Sequence, residues 1–280
     1  MPLDQPDELT GVKNLTFLQH AEELRWHLLR ALIAIAAGMI GMFVVLDWLL
    51  HEVILAPLRP DFPMHALLCR LNAEFCFEGL PVSLQATSPT EQFSKAILIG
   101  VAGGFILAFP YLIYELWRFV RPALKPEEAR LSRAAIGAVS GLFLTGVAFA
   151  YFVILPVTFR FLAQFQLDPS IQNIWRIGDV VGLVVQFCIA GGLLFELPVL
   201  IYVLSRLGIV RPRLMRRYRR HALVVALVLS GVLTPSPDAL SQLLLALPIV
   251  VLYEVSISIS ARVERARLAR QAAHEAEFGA

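Results

Sequence analysis

Long apolar runs bounded by short charged connections dominate this chain. Reading for runs long enough to cross a bilayer gives six segments: 28–50, 93–117, 134–157, 180–204, 222–233 and 240–256. The last two are short. A helix of about 12 residues covers only about 18 Å against a hydrocarbon core of about 30 Å, so this terminal hairpin must thin the bilayer or pack within protein. Before the first run, Thr16 opens a capping-box pattern, and Phe17, Ala21, Leu24 and Leu28 share one helical face while Glu22, Glu23, Trp26 and Arg30 share the other. That pattern predicts an amphipathic helix lying along the cytoplasmic interface before turning into the first span.

Composition agrees with the pattern. Of 280 residues, 58% are hydrophobic and 16% charged, and the mean hydropathy is +0.69, which predicts an all-α, polytopic integral membrane protein. The net charge of +2 matters less than where the charges sit. Lys and Arg concentrate in the N-terminal segment, in "RFVRPALKPEEARLSR", in "RLGIVRPRLMRRYRR" and after Ser260, so the positive-inside rule places both termini in the cytoplasm. The acidic start lacks the pattern of a cleavable signal peptide. Prolines 110, 156, 198 and 248 fall within or at the edges of spans and predict bends. The tail "ARVERARLARQAAHEAEFGA" reads as a frayed helix or a disordered extension.

Few residues carry candidate chemistry. Glu196 sits inside the apolar run 188–204, where a charge costs roughly 2.5 to 3.5 kcal/mol even on insertion scales, so it is a candidate functional residue. Glu23 with Glu128, or with Glu127 beside it, offers two carboxylates on the basic side of the membrane, suited to a guanidinium. Cys69, Cys76 and Cys188 form no metal pattern, and a 69–76 bridge requires an irregular loop on an oxidising side. His20, His27, His51, His65 and His221 lie at or outside span ends, where exposed or interfacial roles are the default. There is no GxxxxGK[ST] loop, no HExxH and no cofactor motif, and nothing points to nucleic acid. A proton- or ion-coupled solute carrier using Glu196 is the alternative function, but it predicts internal symmetry and a second buried ionisable group, neither of which is evident.

The ordered motifs "FLQHAEELRWHLLRALIA", "SPTEQF", "PYLIYELWRFVRPALKPEEARL", "GVAFAYFVILP", "GGLLFELPV", "TPSPDALSQLLLALP" and "LYEVSIS" resemble those of the TatC family, the core subunit of the twin-arginine protein translocase. The resemblance implies a glove-shaped, six-helix protein with a cytoplasmic segment 1–27, a membrane domain 28–256 and a cytoplasmic tail 257–280. It implies a non-enzymatic receptor in the bacterial inner membrane for signal peptides with consecutive arginines. Folded precursors would be exported using the proton-motive force, with TatA- and TatB-type single-span partners and self-assembly into a multi-copy complex. Carried over onto this chain, the arginine-recognising acids are Glu23 and Glu128, with Glu127 as a neighbour one residue off. Arg25, Phe119 and Pro122 match further cytoplasmic positions. Glu196, Thr234 and Gln242 match partner-binding or intramembrane positions, and Pro57, Tyr151 and Asp238 match periplasmic ones.

Overall fold

The computed structural model describes residues 17–71, 83–120, 132–165, 168, 174–233 and 239–278. Helix α1 (Phe17–Val44) is continuous, so the amphipathic stretch and the first span form one rod with no turn between them. The reason is local: the stretch linking them holds neither Gly nor Pro and is rich in Leu, Ala and Arg, all strong helix formers. A short α2 (Leu46–Leu49), a π turn (Leu50–Ile54) and a 3₁₀ turn (Ala56–Leu58) lead to α3 (Pro63–Leu71). Strand β1 (Ser83–Gln85) feeds α4 (Pro89–Val120), which carries Pro110 inside it.

The next rod consists of α5 (Ser132–Phe149), a π turn (Ala150–Ile154) and α6 (Leu155–Gln164). The wide turn falls just before Pro156, which cannot supply a backbone donor to the preceding turn. Strand β2 (Ile174–Arg176) feeds α7 (Ile177–Phe195). After a one-residue interruption at Glu196, α8 (Leu197–Arg206) continues. Pro198 explains the break, because it has no N–H for the Leu194 carbonyl. Gly208, at φ 77, takes the left-handed conformation needed to turn the chain away after α8. Helices α9 (Pro212–Arg217), α10 (Arg219–Leu233) and α11 (Ala239–Phe278) complete the chain.

Among the described residues, five helical segments are long and apolar enough to cross a membrane: Glu22–Val44, Pro89–Phe119, Ala135–Gln164, Ile177–Arg206 and Gln242–Ala269. The run 222–233 read from the sequence falls in α10, which has 15 residues. The last helix differs from expectation. It is 40 residues long, extending through the tail read from sequence as frayed or disordered. Ala, Arg and Glu dominate "SARVERARLARQAAHEAEF", and no Gly or Pro interrupts it, so nothing stops the helix where the apolar run ends.

Contacts fix the directions of the rods. Helices α1 and α4 run antiparallel: Phe43 meets Gly100, Met42 meets Gly103 and His27 meets Glu115. They cross closely at Gly38 and Gly104, where a Cβ added to Gly38 would lie 2.9 Å from the Gly104 Cα. Helices α10 and α11 also run antiparallel, tied by Arg219–Glu254 at 2.7 Å and by the Gln242 amide donating to the Leu227 carbonyl at 2.8 Å. Ser205 on α8 donates to Ser260 on α11 at 2.8 Å. The fully buried centre, with Phe143, Ala150, Leu155, Phe159, Val181 and Phe187, lies where the α5–α6 rod meets α7. Phe109 of α4 stacks on Phe143 at 3.6 Å. The outward faces of α1 (Leu28, Leu32, Ile33, Ile40) and α10 (Val224, Val225, Val228, Val232) are apolar and exposed, as lipid-facing surfaces are.

Candidate functional site

One end of the bundle collects the start of α1, the end of α4, the end of α8 and the later part of α11, and with them the first and last described residues, which mark it as the termini end. There His27 and Glu115 form a buried pair, Nδ1 to Oε2 at 2.5 Å, with only 7% and 2% of the two residues exposed. Arg30 approaches the same carboxylate at 4.0 Å, and the Tyr111 hydroxyl, one helical turn back along α4, also interacts with it. The Phe119 ring packs edge-on against His27, with centroids 6.1 Å apart.

Glu23, His27 and Arg30 recur at i, i+4 and i+7 and share one face of α1. The antiparallel register that sets His27 against Glu115 therefore sets Glu23 opposite Phe119. Glu23 is half-buried, and its Oε2 is buried without a hydrogen-bond partner among the described residues. Arg25 points to the other side, exposed, with its guanidinium 5.9 Å from the Trp26 ring. Of the cytoplasmic positions expected from sequence, the structure thus brings Glu23 and Phe119 together and leaves Arg25 apart. Pro122, Glu127 and Glu128 lie outside the described residues, as do Thr234 and Asp238.

His27 and Glu115 were missed in the sequence. The signal for Glu115 was available: it lies inside the segment 93–117, so the argument that singled out Glu196 applies to it equally. His27 corrects the expectation of an exposed or interfacial histidine. So does His65, which is 1% exposed. Cys69 is disulfide-bonded and Cys188 is free and buried.

Glu196 occupies the interruption between α7 and α8, with φ −76 and ψ −11. Its N–H bonds to Leu193 O at 3.1 Å and its carbonyl accepts from Leu200 at 3.0 Å, so the backbone is satisfied, whereas one carboxyl oxygen, Oε1, is buried and unpartnered among the described residues. Gln242, expected as part of a partner-binding patch, spends its amide on the Leu227 carbonyl. At the far end, Tyr151 donates to Val53 O at 2.7 Å, and His65 Nε2 donates to the carbonyl of buried Pro57 at 3.0 Å. Phe62 packs between them, 5.6 Å from Tyr151 and 5.7 Å from Phe152. Pro57 and Tyr151 therefore brace the segment after α1 against the α5–α6 rod.

Residues 19–248 match the family described as TatC, Sec-independent protein translocase protein. The chain belongs to the TatC family. Among curated relatives, the Sec-independent protein translocase protein TatC of Carboxydothermus hydrogenoformans is 35% identical over 89% of this chain and 93% of its own length. That of Blattabacterium sp. subsp. Periplaneta americana is 31% identical over 90% and 97%. A crystal structure of the twin arginine translocase receptor TatC is similar with a TM-score of 0.70 and 30% identity, covering 88% of this chain and 99% of that one. The TatC family is a family of polytopic membrane proteins, and the comparisons do not favour the solute-carrier alternative.

Proposed function

We propose that this TatC-family chain is the twin-arginine signal-peptide receptor and core subunit of a translocase that exports folded proteins. The observation that carries the reading is the half-buried Glu23 carboxylate, with one oxygen unpartnered among the described residues, opposite Phe119 at the termini end of the α1–α4 pair. An incoming guanidinium supplies the donors this oxygen lacks. Hydrogen bonds between charged groups contribute about 1.5–3 kcal/mol each, and the planar fork of Arg engages a carboxylate bidentately where Lys acts as a point charge. Glu128, or Glu127 beside it, takes the second arginine, with Arg25 and Pro122 shaping the same surface.

The termini end faces the cytoplasm of a bacterial inner membrane, in line with the arginines gathered on α9 and at the start of α10. Six helices cross the membrane, α10 being the short one. The boundaries at residues 27 and 256 mark where the chain leaves the membrane rather than where its fold changes, since α1 and α11 run through them. Glu196 at the α7–α8 break, with Thr234 and Gln242, receives the helices of TatA- and TatB-type partners. Pro57, Tyr151 and Asp238 belong to the periplasmic end. Transport draws on the proton-motive force, and several copies assemble around the precursor.

The test is binding of a fluorescent signal peptide to the chain in nanodiscs, comparing Arg-Arg with Lys-Lys and wild type with Glu23→Ala and Glu128→Ala. The Arg-Arg form should bind about tenfold tighter, equivalent to about 1.4 kcal/mol, and either substitution should erase the preference. Equal binding of both peptides by all three proteins would remove these acids from recognition.

A further inference from the structure

At the end opposite the termini, a cavity of about 630 Å³ opens between α4, α6, β2 and α7. That volume falls within the roughly 300–1,000 Å³ of small-molecule sites. Phe159, Leu162, Val180 and Leu183 give it apolar walls, and Trp175 stands among its lining residues. Its charged residues divide into two sets. Arg176 is paired with Glu91 at 3.4 Å, and Glu91 is further held by the Thr87 N–H at 2.9 Å and the Thr87 hydroxyl at 3.1 Å, so this pair is internally compensated. Lys95 and Asp179 are different: both line the cavity, and neither makes a hydrogen bond or ion pair among the described residues.

Their depths differ in a defined order. Asp179 stands in the first turn of α7 and is exposed. The Lys95 ammonium lies against Gly182, 3.6 Å from where a Cβ would sit on that glycine. Gly182 is three residues further along α7, about 4.5 Å deeper along the axis. Asp179, Gly182 and Gln186 recur at i, i+3 and i+7 and share one face. The cavity therefore presents a carboxylate at its mouth, an ammonium one turn below it, a carboxamide lower still, and apolar walls. A lysine within a membrane span is costly unless it meets a counter-charge or a polar cavity, and here the cavity offers the position without the counter-charge.

We infer that this cavity binds the head group of a zwitterionic phospholipid carrying a primary amine, with its phosphate on Lys95 and its ammonium on Asp179. The order matches how such a lipid stands in a leaflet: acyl chains deepest, phosphate next, ammonium nearest water. An anionic lipid would satisfy Lys95 and be repelled by Asp179. An acidic side chain on a partner's helix would likewise leave Asp179 unanswered. The inference does not depend on the receptor reading, because it uses neither Glu23 nor the signal peptide.

Native mass spectrometry of the full chain in detergent, titrated with palmitoyl-oleoyl phosphatidylethanolamine, phosphatidylglycerol or soluble glycerophosphoethanolamine, tests it. Phosphatidylethanolamine should bind at least fivefold tighter than phosphatidylglycerol, and the soluble head group should bind weakly. Lys95→Gln and Asp179→Asn should each remove the preference. The decisive variant is the swap Lys95→Asp with Asp179→Lys, which conserves net charge and any internal ion pair but inverts the order of charges with depth; it should also abolish the preference. Retention of phosphatidylethanolamine binding by the swap would overturn the inference, as would equal binding of the two lipids. If the soluble compound bound as tightly as the lipid, the site would belong to free phosphate compounds and not to the bilayer. Unchanged signal-peptide binding in properly folded Lys95→Gln separates this outcome from any failure of the receptor reading.

Discussion

Removing the imidazole of His27 should be among the most damaging single changes at the termini end, although its place in the sequence suggests only an exposed or interfacial role. The pair it forms with Glu115 is buried on both sides. Breaking a buried pair by deleting one partner costs about 3–5 kcal/mol, because the surviving charge keeps its desolvation penalty and loses its compensation. For His27→Ala the stranded group is the Glu115 carboxylate. It retains Tyr111 and the partly exposed Arg30 at 4.0 Å, which offset part of the loss. The expected cost is therefore near the lower bound, about 3 kcal/mol, or roughly a hundredfold in the folding equilibrium. Replacing both residues, as His27→Leu with Glu115→Leu, leaves no buried charge and should recover to within about 1 kcal/mol of wild type, since apolar substitutes for buried ion pairs are often neutral or stabilising. A reversible unfolding titration in bicelles, run as a double-mutant cycle, reads both numbers. A cost below about 1 kcal/mol for His27→Ala would mean that the pair adds nothing to the α1–α4 contact, and the reasoning would fail. So would a double variant less stable than either single one.

Two further outcomes follow from other groups. Glu196→Gln should preserve co-purification with single-span partners and transport, because it keeps a hydrogen-bonding group at the α7–α8 break, whereas Glu196→Leu should abolish both; equal loss in the two variants would point to ionisation instead. His65 is held below its usual 6.5 by burial and by the positive Arg160, against the opposing hydrogen bond to Pro57. Above 6.5 it is neutral in both folded and unfolded chains. As pH falls below 6.5 the unfolded chain takes up the proton first, so stability should fall until the folded histidine titrates too, by about 1.4 kcal/mol for each pH unit between the two titrations. Thermal unfolding in detergent from pH 8 to pH 5 should show this decline in wild type and a smaller one in His65→Asn; parallel curves would remove His65 as the cause.

The spans were legible because a bilayer imposes a length and a composition that few other constraints overwrite. Pro198 marked a bend in the sequence, and the structure places the break two residues before it, at Glu196. What escaped was long-range pairing. Nothing in the spacing of His27 and Glu115, 88 residues apart, says that an antiparallel crossing brings them to 2.5 Å. The extent of the last helix escaped for a different reason: hydropathy ends where the membrane ends, but helix propensity does not, and an Ala- and Arg-rich tail continues the rod. The turn expected between residues 17–28 and the first span is absent for the same reason: α1 runs straight through a stretch of strong helix formers.

The β1–β2 pair, the smallest element of the fold, limits how its largest rods can part. Ser83, Leu84 and Gln85 align in parallel with Ile174, Trp175 and Arg176. Strand β1 reaches α4 through three residues, and β2 passes into α7 without a gap. Two of the longest spans are thus yoked at one end like the legs of a pair of tongs. Parting them there requires breaking backbone hydrogen bonds, while at the opposite end no strand joins them among the described residues. The strand pair therefore restrains the parting of α4 and α7 at one end only, the end opposite the one that carries Glu23 and Phe119.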